Sequence, residues 1–413
     1  MSRAPAGSFA AFSIPNFRIL FGGTLFSFTA FFMSTIVQSV VAFELTGLNG
    51  AVGGAIAGQG LGMVMCGPLG GAYADRLPKR RVIAVGQLIS ALSLINLGWL
   101  YSGGAITITN LVINSTIMGA AFGFIGPARQ ALVVDLVPDT LRGNAMAMTN
   151  VSNTVSRVAG PAVAGGFLAV ESLGPAGAYF GMGVLYVLSA LALLFLPKSV
   201  VRAGVADTHV FADLREGLVY AWQDVRLRNL LIFFVTVMLT GFPYVALTAG
   251  WLEIELGRPK EQVAEVALVS ALGALSASLW AARFADSPKA TRVYSALGVA
   301  FGVALLLFGL APGFISGLVA VFLVGAASGG FHALNGAVIA RETDPRYMGR
   351  VMSLTFIAFA GFSLTAAPLG YLADIYGVRN VLFGMGLGVI VIALVMSARV
   401  ARDARDAASK NLV

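Results

Sequence analysis

From Phe17 onward the chain alternates between long apolar runs and short clusters of glycine, proline and charge. The runs fall at about 17–42, 50–74, 82–101, 106–136, 145–170, 177–196, 229–251, 262–284, 292–311, 315–341, 350–372 and 379–399. An α-helix needs ~20 residues to cross a bilayer, and most runs reach or exceed that. The excess in several predicts tilt or protrusion beyond the hydrocarbon. Lipid-facing strands would be far shorter and alternate in polarity, so the pattern predicts twelve helices. The first run, after Arg18, is too long for a cleaved leader and is expected to stay as the first span.

Composition agrees with that pattern. Of 413 residues, 58% are apolar and 11% charged, where soluble domains average roughly 45–50% and about 25%. There is too little polar surface to clothe a water-soluble globule, so the expected class is an all-α membrane protein. One cysteine, Cys66, excludes an internal disulfide, and with two histidines a metal site is hard to build. No H-E-x-x-H, G-x-S-x-G or P-loop pattern occurs. The expectation is no enzyme, no cofactor and no ATP-driven pump.

The net charge of +8 could suggest a nucleic-acid partner, but its distribution argues otherwise. Twelve spans place both termini on one side. With that side inside, the inner segments collect Arg76, Lys79, Arg80, Arg81, Arg142, Lys198, Arg226, Lys289, Arg346, Arg350 and Arg402, among others. The outer loops keep only Arg258, Lys260 and Arg379. Excess Lys and Arg on inner loops predicts a multi-pass protein of the cell (inner) membrane, both termini cytoplasmic, with the bilayer rather than nucleic acid as its surroundings.

The longest polar segment, 198–228, falls midway, with six spans on either side. Leu214, Leu218, Tyr220, Ala221 and Trp222 among its charges predict an amphipathic helix over residues 213–228, lying on the inner membrane face. The halves also correspond. A shift of 207 residues lays Asp135, Pro138 and Pro161 over Glu342, Pro345 and Pro368. A shift of 211 lays Ala74-Asp75 and Val82 over Ala285-Asp286 and Val293. The expected architecture is two pseudo-symmetric six-helix bundles, 1–197 and 229–413, joined by a linker at 198–228. Such duplicated bundles rock about a site between them, which favours a carrier over a channel.

The loop after the second run reads Gly71-Ala-Tyr-Ala-Asp75-Arg76-Leu-Pro78-Lys79-Arg80-Arg81. Gly71 allows close helix approach, Asp75 can accept from backbone N–H groups at a helix start, and the cations can pair with neighbouring acids. Asp135, Arg142, Asp286 and Glu342 stand at the corresponding span ends and complete a candidate latch on the inner face, Asp135 joining Asp75 and Arg76. In the fifth run, Gly160-Pro161-Ala-Val-Ala-Gly165-Gly166 combines a missing helix hydrogen bond with surfaces for tight packing and bending.

Gly71, Ala74, Asp75, Arg76, Lys79 and Arg80 resemble the G-x-L-A-D-R-x-G-R-K loop of the major facilitator superfamily, with Tyr73 and Pro78 departing from it. Gly160, Pro161, Gly165 and Gly166 resemble the G-P-x-x-G-G motif of its antiporter branch, departing from it by three residues instead of two between the proline and the glycine pair; the resemblance implies a cavity sealed on one side, which favours export. The stretch from Gly126 through Arg129, Asp135 and Pro138 to Arg142 and Ala145 resembles the exporter group that includes enterobactin exporters and macrolide efflux pumps. The resemblance implies a monomeric secondary transporter exchanging protons for an amphipathic small molecule. An importer or facilitator of a small metabolite on the same fold is the alternative.

Ionisable and amide groups within spans are costly and are functional candidates. They comprise Gln38, Asn114, Arg129, Asn150, Asn153, Arg157, His332 and Asn335. Arg157, one turn before Gly160, is expected to point into its bundle. Arg129, nearer the inner end, is expected to snorkel, and His332 to be satisfied by a neighbouring helix. No acid stands at the middle of the first span, where several drug/proton antiporters of the superfamily keep one; Gln38 and the outer-end Glu44 are the nearest polar groups there. Phe28, Phe31, Phe32, Phe233, Phe234, Phe242, Tyr244, Phe356 and Phe359 are expected either to line an apolar cavity or to face lipid.

Overall fold

A computed structural model describes residues 9–74, 77–197, 210–344 and 346–410. These residues are helical almost throughout, and no strand occurs among them. The helices are α1 (Pro15–Thr46), α2 (Asn49–Ala74), α3 (Lys79–Ser102), α4 (Ile108–Leu136), α5 (Arg142–Ala169), α6 (Gly174–Leu194), α7 (Val210–Gln223), α8 (Val225–Gly241), α9 (Val263–Ala281), α10 (Ala290–Gly309), α11 (Phe314–Arg341), α12 (Met348–Tyr376) and α13 (Val378–Lys410). Setting α7 aside, twelve correspond to the predicted runs. Ten spans among the described residues are long and apolar enough to cross a membrane. Helix α5 is not among those ten; it carries Arg142, Asn144, Asn150, Asn153 and Arg157.

By their contacts the helices form two compact units, Met1–Leu45 with Gly58–Val210, and Thr46–Ala57 with Phe211–Val413. In the first unit α3 packs on α4 and α6, and α5 packs on both of these as well. Helices α2 and α4 meet backbone to backbone. A Cβ on Gly62 would run into the Thr116 carbonyl, and one on Gly119 into that of Gln59. Lipid supplies no hydrophobic drive between helices, so approach this close, made possible by small residues, is what holds them together.

The second unit repeats the scheme. Its third helix, α10, packs on α11 and α13 as α3 packs on α4 and α6. Helices α9 and α11 meet through Gly273 at Phe322 and Gly325 at Ser270, the counterpart of the α2–α4 seam.

Two segments depart from expectation. The amphipathic helix predicted over residues 213–228 ends at Gln223. There Asp224 caps a new helix, its carboxylate accepting from the N–H groups of Arg226 (2.9 Å) and Leu227 (3.0 Å). The seventh span accordingly starts at Val225 rather than at 229, because a good N-cap outweighs the charges that follow it. That span is also discontinuous. After Gly241 it passes through a 3-10 stretch (Phe242–Leu247) and a single turn (Thr248–Gly250) into a π-helical turn (Trp251–Glu255). Pro243 has no N–H to give the Leu239 carbonyl, and Thr365 Oγ1 of α12 reaches that oxygen at 2.8 Å, sharing its proton with the Phe362 carbonyl at 2.9 Å.

Within the second unit the first turn of α2 is held by α12. Asp374 Oδ1 accepts from the Asn49 backbone N–H (2.7 Å) and from Asn49 Nδ2 (3.0 Å), and Asp374 Oδ2 accepts from the Gly50 N–H (2.8 Å). The carboxylate thus satisfies N–H groups that a helix start leaves open, and its charge suits that end of the dipole. Replacing Asp374 with Ala should destabilise the protein by about 2 kcal/mol, the cost of unmaking charged hydrogen bonds at a half-buried helix start. Asp374→Asn, keeping one acceptor, should lose less. Thermal unfolding of the purified variants checks the order.

Candidate functional site

The glycine–proline turn of α5 lies against α1. Gly160 is buried so closely on Phe32 and Met33 that a Cβ would stand 2.6 Å from the Phe32 Cβ. One turn earlier Ser156 bridges the same seam, accepting from Thr29 Oγ1 at 3.2 Å and donating to the Leu25 carbonyl at 3.2 Å. Arg157 is half-buried, its guanidinium 5.6 Å from the centre of the Phe32 ring. Pro161 is buried, Gly165 half-buried and Gly166 exposed, so only the first part of the motif forms the seam. Asn153 is half-buried and Asn150 exposed on the same helix.

Further along α1, Gln38 joins a buried amide–hydroxyl network. Gln38 Nε2 donates to Asn114 Oδ1 at 3.1 Å, Asn114 Nδ2 donates to Ser93 Oγ at 2.6 Å, and Ser115 donates to Gln38 Oε1. The network ties α1, α3 and α4 together with neutral groups only. Two of the predicted candidates, Gln38 and Asn114, thus meet directly. Ser93 and Ser115 were not singled out from the sequence, since serines are too frequent in apolar helices to signal a network.

Arg129 does not snorkel. It is 4% exposed, and its Nη2 donates to Ser27 Oγ of α1 at 2.8 Å while the guanidinium lies 4.8 Å from the Phe28 ring centre. Met118, Ala121, Ile125 and Ala128 share its buried face of α4, and a side chain facing inward there has no route to the membrane surface.

At the end of the first unit where α2, α4 and α6 finish, Lys79 Nζ pairs with Asp135 Oδ2 at 2.5 Å, with the lysine side chain 8% exposed. Arg80 donates to the Leu196 (2.6 Å) and Leu194 (3.1 Å) carbonyls, closing the C-terminus of α6 with a cation. Arg142 pairs with Asp139 at 2.7 Å. Gly71 lies in the last turns of α2, and Asp75 and Arg76 fall outside the described residues. Asp135 was expected beside Asp75 and Arg76; the described partner is Lys79, which the loop brings into reach as the first residue of α3.

In the second unit Asp286 is exposed in the α9–α10 turn, which Arg341 ties to the end of α11 by donating to the Ser287 carbonyl. Glu342 pairs with Arg226 at 3.8 Å. Asn335 accepts from the Tyr294 hydroxyl at 3.1 Å, and His332 packs its ring 6.0 Å from that of Phe234. Phe233, Phe234, Tyr294 and Phe331 interlock as the buried core of this unit instead of lining a cavity. Phe28 and Phe31, by contrast, line a narrow pocket in the first unit. The Phe356 and Phe359 side chains lie outside the described residues. Sequence reading missed Asp374, because nothing local links an acid in α12 to residues 49 and 50. It also missed the α7 dock, where Tyr220 stacks on Tyr347 at 4.2 Å and Glu216 pairs with Arg350 at 2.8 Å.

Membrane-length helices in two like-built units, with polar groups buried inside them and glycine–proline breaks, define a multi-pass membrane transporter. The chain belongs to the Major Facilitator Superfamily, whose family model matches residues 19–363. It is accordingly a carrier of small molecules embedded in lipid, not an enzyme, with the superfamily's twelve membrane helices. Macrolide efflux protein A of Streptococcus pyogenes is 25% identical, over 88% of this chain and 91% of the relative. The staphyloferrin A transporter of Staphylococcus aureus is 24% identical, over 79% and 81%. Among solved structures, the nucleoside transporter NupG superposes with a TM-score of 0.74 at 14% identity, covering 94% of this chain and 99% of that one. The D-xylose–proton symporter gives 0.72 at 15%, covering 92% and 96%. These structures share the fold.

Removing one partner of the Lys79–Asp135 pair strands a buried charge, which costs about 3 kcal/mol. Asp135→Leu should therefore lower the unfolding temperature clearly, and the double variant Lys79→Met/Asp135→Leu should regain most of the loss. A double-mutant cycle on the purified protein measures the coupling.

Proposed function

We propose that the protein is a proton-coupled exporter that moves amphipathic small molecules out of the cell by alternating access, as a monomer with both termini cytoplasmic. The observation that carries this reading is the α1–α5 seam. Gly160 brings α5 onto α1 at Phe32 and Met33, next to Arg157 and the buried Pro161, in the span where the antiporter branch keeps its G-P-x-x-G-G motif. The relatives named for macrolide efflux and staphyloferrin A transport support a cargo of the drug or siderophore class.

In this reading Gln38, Asn114, Asn150, Asn153 and Arg157 of the first unit, with His332 and Asn335 of the second, supply the polar contacts for cargo or proton. Gly71, Asp75, Arg76, Lys79, Arg80, Asp135 and Arg142, with Asp286 and Glu342, form the cytoplasmic latch. The Lys79–Asp135 pair and the Arg80 cap are among its described members, and ion pairs of this kind hold one state and must part in the other.

Inverted membrane vesicles test the direction. A labelled macrolide or labelled siderophore should accumulate in them under an imposed proton gradient and leak out when it collapses. Accumulation only in right-side-out vesicles would assign import instead. Gly160→Leu should abolish transport, and Asp75→Asn should impair it while leaving the amount of folded protein unchanged. Arg157→Ala should weaken transport of anionic or polar cargo by about tenfold, the worth of one charged hydrogen bond, and that of apolar cargo less.

A further inference from the structure

Arg129 carries a positive charge into the middle of the first unit. It is 4% exposed, and among the described residues no carboxylate pairs with it. Ser27 accepts one of its N–H groups, but the Ser27 hydroxyl proton is directed to the Thr24 carbonyl at 3.1 Å, so that contact neutralises nothing. An ion held in low dielectric without a counter-charge costs several kcal/mol. No described carboxylate of this unit balances it.

The space beside the guanidinium is suited to that task. A narrow pocket between α1, α3, α4 and α6 is lined by Ser27, Phe28, Ser90, Phe122, Arg129 and Tyr186. Tyr186 is 4% exposed, and its hydroxyl has no hydrogen-bond partner among the described residues. Ser90 spends its proton on the Gly86 carbonyl at 2.9 Å. The groups left to donate to an occupant are therefore the remaining guanidinium N–H groups and one phenol O–H, beside the Phe28, Phe31 and Phe122 rings. Water could satisfy the donors but not the charge.

We infer that Arg129 and Tyr186 bind a compact monovalent anion inside the first unit: a halide ion or a single carboxylate group. Phe28 and Phe122 stand in the pocket lining beside these donors, and the guanidinium lies over the Phe28 ring, 4.8 Å from its centre, which orients it.

The test uses the purified full-length protein in detergent, without cargo, so its outcome is independent of the transport reading. Thermal unfolding is followed while sodium chloride or sodium formate replaces sodium gluconate at constant ionic strength. The wild-type unfolding temperature should rise saturably in chloride, in formate or in both, and the arm that responds names the source of the charge. Gluconate is too bulky to enter and should leave it unchanged. Arg129→Gln should abolish the response, and Tyr186→Phe should raise the half-saturating concentration about tenfold, one hydrogen bond to a charged group. An equal rise in gluconate, no rise in any salt, or an unchanged response in Arg129→Gln would overturn the site. If Arg129→Gln yields no folded protein, Tyr186→Phe decides alone, and an unchanged half-saturation there refutes it.

Discussion

Backbone N–H and C=O groups in hydrocarbon have no water to turn to, so every interruption of a membrane helix must be made good by another part of the protein. Three described breaks and helix ends follow that constraint. The carbonyl freed by Pro243 in α8 receives the Thr365 hydroxyl from α12. The open N–H groups at the start of α2 are taken by Asp374, and the open carbonyls at the end of α6 by Arg80. Each repair comes from a residue far away in sequence. Local breaks are thereby converted into tertiary ties, and the residues that look most disruptive in the chain are among those that bind its helices to one another.

The two units solve the same packing problem with different chemistry at their ends. Both bring their second and fourth helices together across glycine, and both set the third helix against the fourth and sixth. The loop between second and third helices is fastened to the end of the fourth in each. In the first unit the loop side carries the cation and the helix end the carboxylate, Lys79 to Asp135. In the second the helix end carries the cation, Arg341, and the loop offers only a backbone carbonyl. The carboxylate corresponding to Asp135, Glu342, turns to Arg226 at the head of α8. Duplication preserved the backbone arrangement and let the charges be redistributed.

Most of this architecture was legible in the residues. Apolar runs of membrane length, loop charges and the repeated Asp135/Glu342 spacing were enough for the helix order, because in lipid the length of an apolar run is close to a direct readout of a span. Boundaries failed where one capping side chain decides, as at Asp224, whose carboxylate ends α7 and begins α8 within a stretch of interleaved polar and apolar residues. The seam at Gly160 could be expected from composition; its partners Phe32 and Met33 could not. Arg129 was misplaced because distance from the span end says nothing about which face of α4 it occupies, and an inward face leaves a long side chain no way out. The Asp374 contacts and the Tyr220–Tyr347 stack were invisible, since they join positions with no shared local pattern.

The pairing of Pro243 with Thr365 has a consequence for how such chains can change over time. A hydroxyl at 365 answers a need that exists only because position 243 offers no amide proton. A lineage that replaces the proline releases the other site to become valine or alanine at little cost. One that loses the hydroxyl first leaves a bare carbonyl inside the membrane. The order of substitutions is therefore constrained, and across divergent descendants the two positions should carry a statistical memory of each other although more than a hundred residues separate them.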